Sequence, residues 1–424
     1  MNTVWAHRWN ALDSQMQEMI NRYGNLLQPA IKNSLHALTG SLQAFGQDQF
    51  TFFQDGFDSG QLLPSMYLPQ EHVLRATLDQ VAFDMNIIQR IACQRQEAAL
   101  QSTLDKADKL AQLALNVAVD NGLLPKCTVL TYFNKSVNIR LIPYAPVALI
   151  GIPFSTTEAD SDLLAIPHEV GHYVYHHAPG LAAQLHARIP LYPDWINQWI
   201  EEIFADVYGA LVAGPIIGLS FQDILLDNAQ KKFVADDGVH PPDAIRPFGY
   251  SHSLDQLGYT QAAAALDARW AEKLTQRHYP TEFVPHNSTA VATFAQAREL
   301  VEQTAVIFLN YLQQECQVTQ PAPWSVDTAD LSSLYSDFAT WLTHPINVDI
   351  YQLKSLGNDI GLVLGNGQPQ NVRPKGSTQT WRDWIKAQSR QNPNTPLPAQ
   401  AWEPVFTAGH WPIKGPESNS NSGL

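Results

Sequence analysis

The chain has 424 residues, of which 45% are hydrophobic and 16% are charged. This length predicts two or three structural units, and the apolar fraction excludes global disorder. The formal net charge is −14 and no block of Lys or Arg occurs, which argues against nucleic acid or an anionic membrane as the main partner.

Targeting and redox signals point to the cytoplasm. The first residues, MNTVWAHRWN, lack a basic segment followed by an apolar one, so we expect no secretory signal. The longest apolar run, 210–221, contains a Gly-Pro pair and is far shorter than the roughly 20 residues of a spanning helix. The three cysteines are widely spaced and odd in number: Cys93, Cys127 and Cys316. We therefore expect a soluble, cytoplasmic protein with reduced, buried thiols.

Residues 1–125 are predicted to form a helical N-terminal region. Apolar residues recur at helical spacing in 16–35 and again in the stretch 71–121, which has no Gly or Pro. Between them, the Phe-, Gly- and Asp-rich segment 45–69 is predicted to be an ordered loop. Helices of this kind are typical of a packing scaffold.

The pattern changes at residue 127, and we expect a catalytic core over 126–258. Three short segments rich in β-branched residues predict a small mixed sheet: 128–133, 137–144 and 147–154. We expect 147–154 to be the edge strand, along which an extended peptide substrate would pair.

Helical periodicity dominates from residue 160 onward. The predicted helices are 161–178, 193–213, 260–278, 289–316, 327–343 and 378–390. The fold class is thus α+β and predominantly α, with a helical C-terminal region over 259–408. The Ser- and Asn-rich tail 409–424 is predicted to be disordered.

The segment His168-Glu169-Val170-Gly171-His172 matches the pattern H-E-x-x-H. Residues four apart lie on one face of a helix, so both imidazoles can reach one metal ion. Glu169 can hold the water that the metal activates, take its proton and pass it to a leaving amine. Asp160, Ser161 and Asp162 are available as helix N-caps. Because Pro167 lacks a backbone donor, we expect a local distortion or a late helix start.

A third ligand is expected from the helix that carries WIEEIFADVYG. Glu202 and Asp206 are four residues apart and project from one face. Glu202 can complete a His2Glu zinc site, with one Zn²⁺ per chain, and Asp206 can accept the free N–H of a ligand histidine. Glu201 points about 100° away and is the poorer ligand, although the sequence leaves it open.

The metzincin pattern does not fit this chain. It requires a glycine and a histidine where Tyr175 and Ala178 stand. His176 and His177 are accordingly expected to be surface or pocket-wall residues, with His176 on the ligand face and able to contact substrate.

These motifs resemble the gluzincin zinc metallopeptidases, which share H-E-x-x-H followed about thirty residues later by E-x-x-x-D with thermolysin-like enzymes. The segment VHPPDAIRPFGY (239–250) is similar to the H-P-P-x-x-x-R element of the CAAX-prenyl-protease and HtpX-like family. The resemblance covers 127–250 and implies a zincin-like catalytic core. The chain lacks the spanning helices of the membrane-bound members, so a prenylated substrate is not implied.

The resemblance also implies roles for three residues. His240 would steady the oxyanion, and Arg246 would brace the metal-binding carboxylates from outside. Tyr250 could add an oxyanion hydroxyl, or it could be a packing residue.

The sequence therefore predicts a zinc metalloendopeptidase that acts on protein or peptide substrates. A zinc-stabilised interaction protein with a non-catalytic zincin fold remains an alternative, as does a zinc hydrolase of a non-peptide amide or ester. The helical flanks could recruit a protein partner or cover the cleft as an inhibitory lid.

Overall fold

The structure is a computed structural model. It describes residues 3–23, 29–142, 144–226, 228–278, 280–318, 324–344, 348, 396–408 and 413–414. Within these residues the protein is predominantly helical and contains a small mixed sheet, so the predicted fold class is confirmed at that level.

Helices precede, separate and follow the strands of the sheet. The first half of the chain contains α1 (Thr3–Tyr23), α2 (Pro29–Asp58), α3 (Gln70–Gln94), α4 (Ala98–Asp120), β1 (Thr128–Asn134), β2 (Asn138–Arg140), β3 (Val147–Pro153), α5 (Ile166–His177), α6 (Leu181–Arg188), α7 (Asp194–Asn197) and α8 (Ile200–Ala213). The second half contains α9 (Pro215–Leu226), α10 (Gln230–Phe233), α11 (Arg246–Gln256), α12 (Thr260–Gln276), β4 (Glu282–Phe283), β5 (Ala292–Thr293), α13 (Phe294–Asn310), α14 (Leu331–Thr343), α15 (Ala399–Ala408) and β6 (Ile413–Lys414).

The predicted loop at 45–69 is wrong over 45–58, where α2 continues. A β-carbon at Gly46 would stand 2.9 Å from the Trp9 ring, and one at Gly56 would stand 2.5 Å from Leu62. These glycines let α2 pack closely against its neighbours and do not end it. The aromatic side chains of the segment are buried: Phe45, Phe50, Phe52, Phe53 and Phe57.

The predicted helical stretch 71–121 is broken between α3 and α4. The break places Arg95, which is buried, against the sheet. Its guanidinium donates to Asp108 Oδ1 at 2.8 Å and to the carbonyl of Thr131 at 2.9 Å. A buried guanidinium needs such partners, and one continuous helix would not bring Arg95 to them.

The main sheet has the strand order β1-β3-β2-β6. β1 and β3 are parallel, while β2 is antiparallel to both β3 and β6. β3 is therefore hydrogen-bonded on both sides, and the prediction that 147–154 is an edge strand is wrong. The prediction failed because strand order depends on pairing between distant segments, which alternation of residue types does not report.

Two hydrophobic cores meet at this sheet. One face of β1 and β3, with Leu130 and Leu149, packs against α1–α3 and α15. The opposite face, with Val129 and Ile150, packs against α4, α5 and the helices that follow. Alternating side chains of one buried strand thus serve both cores.

The helix with the H-E-x-x-H motif starts late, as Pro167 indicated. A 3-10 segment occupies Asp160–Ala165, and α5 begins at Ile166. The predicted N-caps are wrong, because no side chain caps either segment. Asp160 instead pairs with Lys106 at 2.8 Å, and Asp162 accepts the hydroxyl of Ser155.

The predicted helices 193–213, 260–278, 289–316 and 327–343 are found with shifted ends, whereas α6, α9, α10, α11 and α15 were not predicted. The predicted helix 193–213 is divided into α7 and α8, and α13 begins at Phe294. The predicted helix 378–390 lies outside the described residues. In the predicted disordered tail the structure describes only Ile413–Lys414, which form strand β6.

Among the described residues, none of the helices combines the length and the apolar character needed to cross a lipid bilayer.

Candidate metal centre

The site is built on a close crossing of α5 and α8. A β-carbon at Gly171 would stand 2.8 Å from the Cα of Ala205, and Gly209 lies against the backbone of His168. Only small residues at these positions allow the two backbones to approach so closely. The crossing places Glu202 opposite the two motif histidines, although about thirty residues separate them in sequence.

Three buried side chains bring one ligand atom each within 4.8 Å of the others: His168, His172 and Glu202. The two imidazole Nε2 atoms are 3.2 Å apart. Each of them lies 3.5 Å from an oxygen of Glu202. In a tetrahedral zinc site with ligands at about 2.0–2.1 Å, neighbouring donor atoms stand about 3.3 Å apart. The donor set therefore fits a zinc ion in both chemistry and spacing.

Arg246 contacts both carboxylates of α8. Its guanidinium donates to Asp206 Oδ2 at 2.7 Å, to Asp206 Oδ1 at 2.8 Å and to Glu202 Oε2 at 2.9 Å. It also lies 3.4 Å from His168 Nε2. Burial would raise the pKa of Glu202, but the neighbouring imidazoles and Arg246 hold it well below the usual range. Both carboxylates are therefore ionised and held in place.

The carboxylates around His168 stabilise a positive charge on its ring. Burial of this ring lowers its pKa, but Asp206, 2.9 Å from Nδ1, and Glu202 outweigh burial and raise the pKa to about 9. Because the ionised Asp206 lies beside Nδ1, the ring is oriented with Nε2 toward the other potential ligands. A buried cluster that stabilises an imidazolium also favours a cation in its place.

Glu201 is a functional candidate that sequence reasoning underestimated. Its Oε1 lies 2.9 Å from His172 Nδ1 and 2.9 Å from His176 Nε2. Burial would raise its pKa, but His176 and His172 hold it well below the usual range. Glu201 lies outside the group of potential ligands and is placed to orient His172. The available signal was the need of every ligand histidine for an acceptor at its second nitrogen.

His240 reaches the same site from the segment before α11. Its Nε2 lies 3.4 Å from Glu202 Oε1, and its Nδ1 lies 2.8 Å from Asp237 Oδ2. Asp237 also accepts from the backbone N–H groups of Val239 and His240. Sequence reasoning missed Asp237, although an Asp that accepts from the backbone two and three residues ahead is a common turn pattern.

Glu169 is buried beside the histidines and lines a cavity next to them. Burial raises its pKa, and the charges of His172 and His168 oppose this only in part. Its Oε2 has no hydrogen-bond partner among the described residues. A buried carboxylate oxygen without a protein partner is suited to hold a water molecule.

A cavity of about 400 Å³ opens over these groups. It is lined by His168, Glu169, His172, Glu202, His240, Arg246 and Tyr250, and by further side chains of the sheet and α9. Its apolar wall is the face of α9 that carries Ile217, Phe221 and Ile224 at i, i+4 and i+7. The centre is thus accessible to a ligand with apolar groups.

Tyr250 and His176 were predicted as possible substrate contacts, and His177 as a surface or pocket-wall residue. Tyr250 lines the cavity, but its hydroxyl donates to Asp206 Oδ1 at 2.8 Å. Among the described lining residues His176 does not occur, and it contacts Glu201 instead. The prediction of a surface or pocket-wall position for His177 is wrong. Its ring is fully buried, stacks on Tyr173 and approaches the carbonyl of Ile142 at 3.1 Å.

No protein-family model matches the chain, and no curated protein and no solved structure is significantly similar to it.

Proposed function

We propose that this chain is a zinc-dependent metalloendopeptidase. The observation that carries the proposal is the convergence of His168, His172 and Glu202 beside a buried, unpartnered Glu169 in an accessible cavity. A purely structural zinc site is closed by four protein ligands and has no use for a carboxylate of this kind. The arrangement therefore favours catalysis over a scaffold role.

The two imidazoles and the carboxylate would hold the ion. Bound there, zinc would act as a Lewis acid that polarises a carbonyl group and lowers the pKa of water. His2Glu sets with room for a further ligand are typical of catalytic zinc. The spacing of the donor atoms supports zinc, since the Nε2 atoms and the Glu202 oxygens are 3.2–3.5 Å apart.

The residues around the ligands have complementary roles in peptide hydrolysis. Glu169 Oε2 would hold the attacking water, accept its proton and deliver it to the leaving nitrogen. A carboxyl pKa raised by burial suits this double role near neutral pH. His240, oriented by Asp237, would donate a hydrogen bond to the oxygen that becomes negative.

Two charged residues would act from behind the ligands. Arg246 holds the Glu202 carboxylate, and Asp206 holds the ring of His168. Neither needs to touch the substrate for this role. Their contribution would be to keep the donor atoms in the geometry that the ion requires.

We further propose a gluzincin-like core within 126–258 and a cytoplasmic location. The mixed sheet beside α5 and the α5–α8 pair support the former. The three cysteines are unpaired, which supports a reducing compartment. Of the expected buried thiols only Cys127 is buried, whereas Cys93 is exposed and Cys316 is half-buried.

The test combines metal analysis with a catalytic variant. Purified protein should contain about one zinc per chain and should degrade denatured casein in a chelator-sensitive manner. Glu169→Gln should keep the zinc and lose at least about a thousandfold in turnover, because it removes only the proton acceptor. His168→Ala should lose the zinc itself.

The outcomes separate the alternatives. Casein cleavage by Glu169→Gln at the parent rate would rule out the proposed mechanism. A zinc-containing protein that hydrolyses neither casein nor non-peptide amides and esters would be the interaction protein. Mass spectrometry of the products would reveal a hydrolase of non-peptide amides or esters.

A further inference from the structure

The C-terminal strand β6 lies on the edge of β2. Ile413 pairs with Arg140 and Lys414 pairs with Ile139, in antiparallel register. The direction of β6 is therefore toward the start of β2. In an antiparallel pair, each residue extends its strand by about 3.4 Å. Val137, two residues before Ile139, lines the cavity, so this pairing ends about 7 Å from the cavity rim.

The edge of β2 is where an extended peptide would reach the candidate metal centre. Ser136 and Val137, which lead into β2, line the same cavity as His168 and Glu169. A peptide that pairs antiparallel with β2 and continues toward its start would enter this cavity. Pairing of backbone groups along a sheet edge is a common way to bind an extended peptide.

The opposite edge of the sheet is closed to such a peptide. On β1, the N–H of Phe133 donates to Gln94 Oε1, and its carbonyl accepts from Gln94 Nε2. The N–H of Thr131 donates to Asp108, and its carbonyl accepts from Arg95. Side chains of α3, of α4 and of Arg95 between them thus satisfy these outer backbone groups of β1. Within the described four-stranded sheet, the edge of β2 that β6 covers is where another chain can join.

We propose that strand β6, Ile413–Lys414, is an internal inhibitor. It occupies the edge of β2 on which the backbone of a peptide substrate pairs, so substrate has to displace it. This inference rests on the proposed peptidase function and adds the mode of substrate binding and its regulation.

The described pairing joins Ile413 and Lys414 to two residues of β2. A segment tethered to the same chain competes with substrate for such an edge through its high effective concentration.

The first experiment compares the full chain with a variant that ends at residue 408, after α15. With denatured casein as substrate, the truncation should raise kcat/KM roughly 2- to 10-fold, mainly through a lower KM. A peptide of residues 407–418 should inhibit the truncated protein competitively. The same peptide N-methylated at Ile413 and Lys414 should not inhibit, because it cannot donate the backbone hydrogen bonds.

A second comparison keeps the chain length. The double substitution Ile413→Pro and Lys414→Pro should reproduce the effect of truncation, whereas Ser418→Pro with Ser420→Pro should not. Hydrogen exchange of residues 138–140 should speed up in the truncated chain and slow again when the peptide is added. This readout does not depend on catalysis.

The outcomes distinguish this inference from the proposed function. Equal kcat/KM for the full and truncated chains, with no inhibition by the peptide, would overturn the inference alone and leave β6 as a cover of the sheet edge. Absence of casein cleavage in every form would overturn the peptidase proposal and this inference with it.

Discussion

Gly171 and Ala205 set the distance between the two helices of the candidate metal centre. The Cα of Ala205 would stand 2.8 Å from a β-carbon at Gly171, closer than atoms of two residues can approach without a shift. Since Gly171 lies between Glu169 and His172 on α5, the helix that carries the two histidines depends on this contact for its position against α8.

Replacement of Gly171 by Ala should disturb the site through this contact. We expect Gly171→Ala to lower the free energy of unfolding by about 1–3 kcal/mol, because backbone atoms must move apart. Zinc affinity should fall at least about tenfold, since Glu202 moves away with α8. Urea denaturation and competition with a chromophoric chelator measure the two effects.

Gly40→Ala is the matched control. Gly40 also lies in a helix, and a β-carbon there would meet nothing within 4 Å. This substitution should leave zinc affinity unchanged and should stabilise the helix slightly. Equal effects of the two substitutions on zinc affinity would contradict the role of the Gly171 contact.

Glu201 should tune the metal through His172. Glu201→Gln keeps the size of the side chain but removes the charge that faces His172 Nδ1. We expect zinc affinity to fall about 10- to 100-fold, as for other carboxylates behind a ligand histidine. Glu158→Gln, at an exposed residue, is the control. An unaltered dissociation constant for Glu201→Gln would show that the negative charge beside His172 does not affect zinc binding.

Asp237 should set the alkaline limit of activity. Burial lowers the pKa of His240, but the charge of Glu202 and the hydrogen bond to Asp237 outweigh burial and raise it. Protonated His240 is the oxyanion donor in the proposed mechanism, so kcat/KM should fall as pH rises through this raised pKa.

Asp237→Asn removes one of the two stabilising charges. The alkaline limb of the pH–kcat/KM profile should therefore move to lower pH by about one unit. In His240→Gln, which has no titrating ring, the same limb should disappear. A limb that stays in place in Asp237→Asn would disprove the link between these two residues.

His177 should make stability depend on pH. Burial lowers the pKa of its ring from 6.5 to about 4. Between these values the unfolded chain binds a proton that the folded chain does not, so stability falls as pH decreases from about 6.5 to about 4. At pH 5 the loss from this group should be about 2 kcal/mol relative to neutral pH.

The variant His177→Phe isolates this contribution. Phenylalanine keeps a flat ring against Tyr173, which lies 3.9 Å from the His177 ring between centroids. The difference in unfolding free energy between pH 7 and pH 5 should be about 2 kcal/mol smaller in the variant. If both proteins lose the same stability, His177 does not titrate as described.

The local features of the chain could be predicted from the sequence. His168 and His172 are four residues apart, as are Glu202 and Asp206. The helical period alone therefore places each pair on one face of its helix. Composition and apolar spacing likewise indicated a mainly helical protein with a small sheet. Pro167 indicated the late start of α5, because the effect of a proline on a helix is confined to its own turn.

The predicted secondary structure was wrong where the same local sequence feature is compatible with two structures. Gly46 and Gly56 suggested a loop, yet α2 uses them for contact with Trp9 and Leu62. The absence of Gly and Pro from 71–121 suggested an unbroken helix, yet the burial of Arg95 requires a turn there. In each case the deciding partner is distant in sequence.

The sequence by itself determined which side chains share a helix face, and so which donor atoms were available for a metal ion. Only the tertiary structure decided that β3 is central, that β6 covers β2, and that Glu201 and Asp237 stand behind His172 and His240. The physical reason is one of range. Helical periodicity is set by neighbours within a few residues, whereas strand order and second partners of histidines arise from packing between segments far apart in the chain.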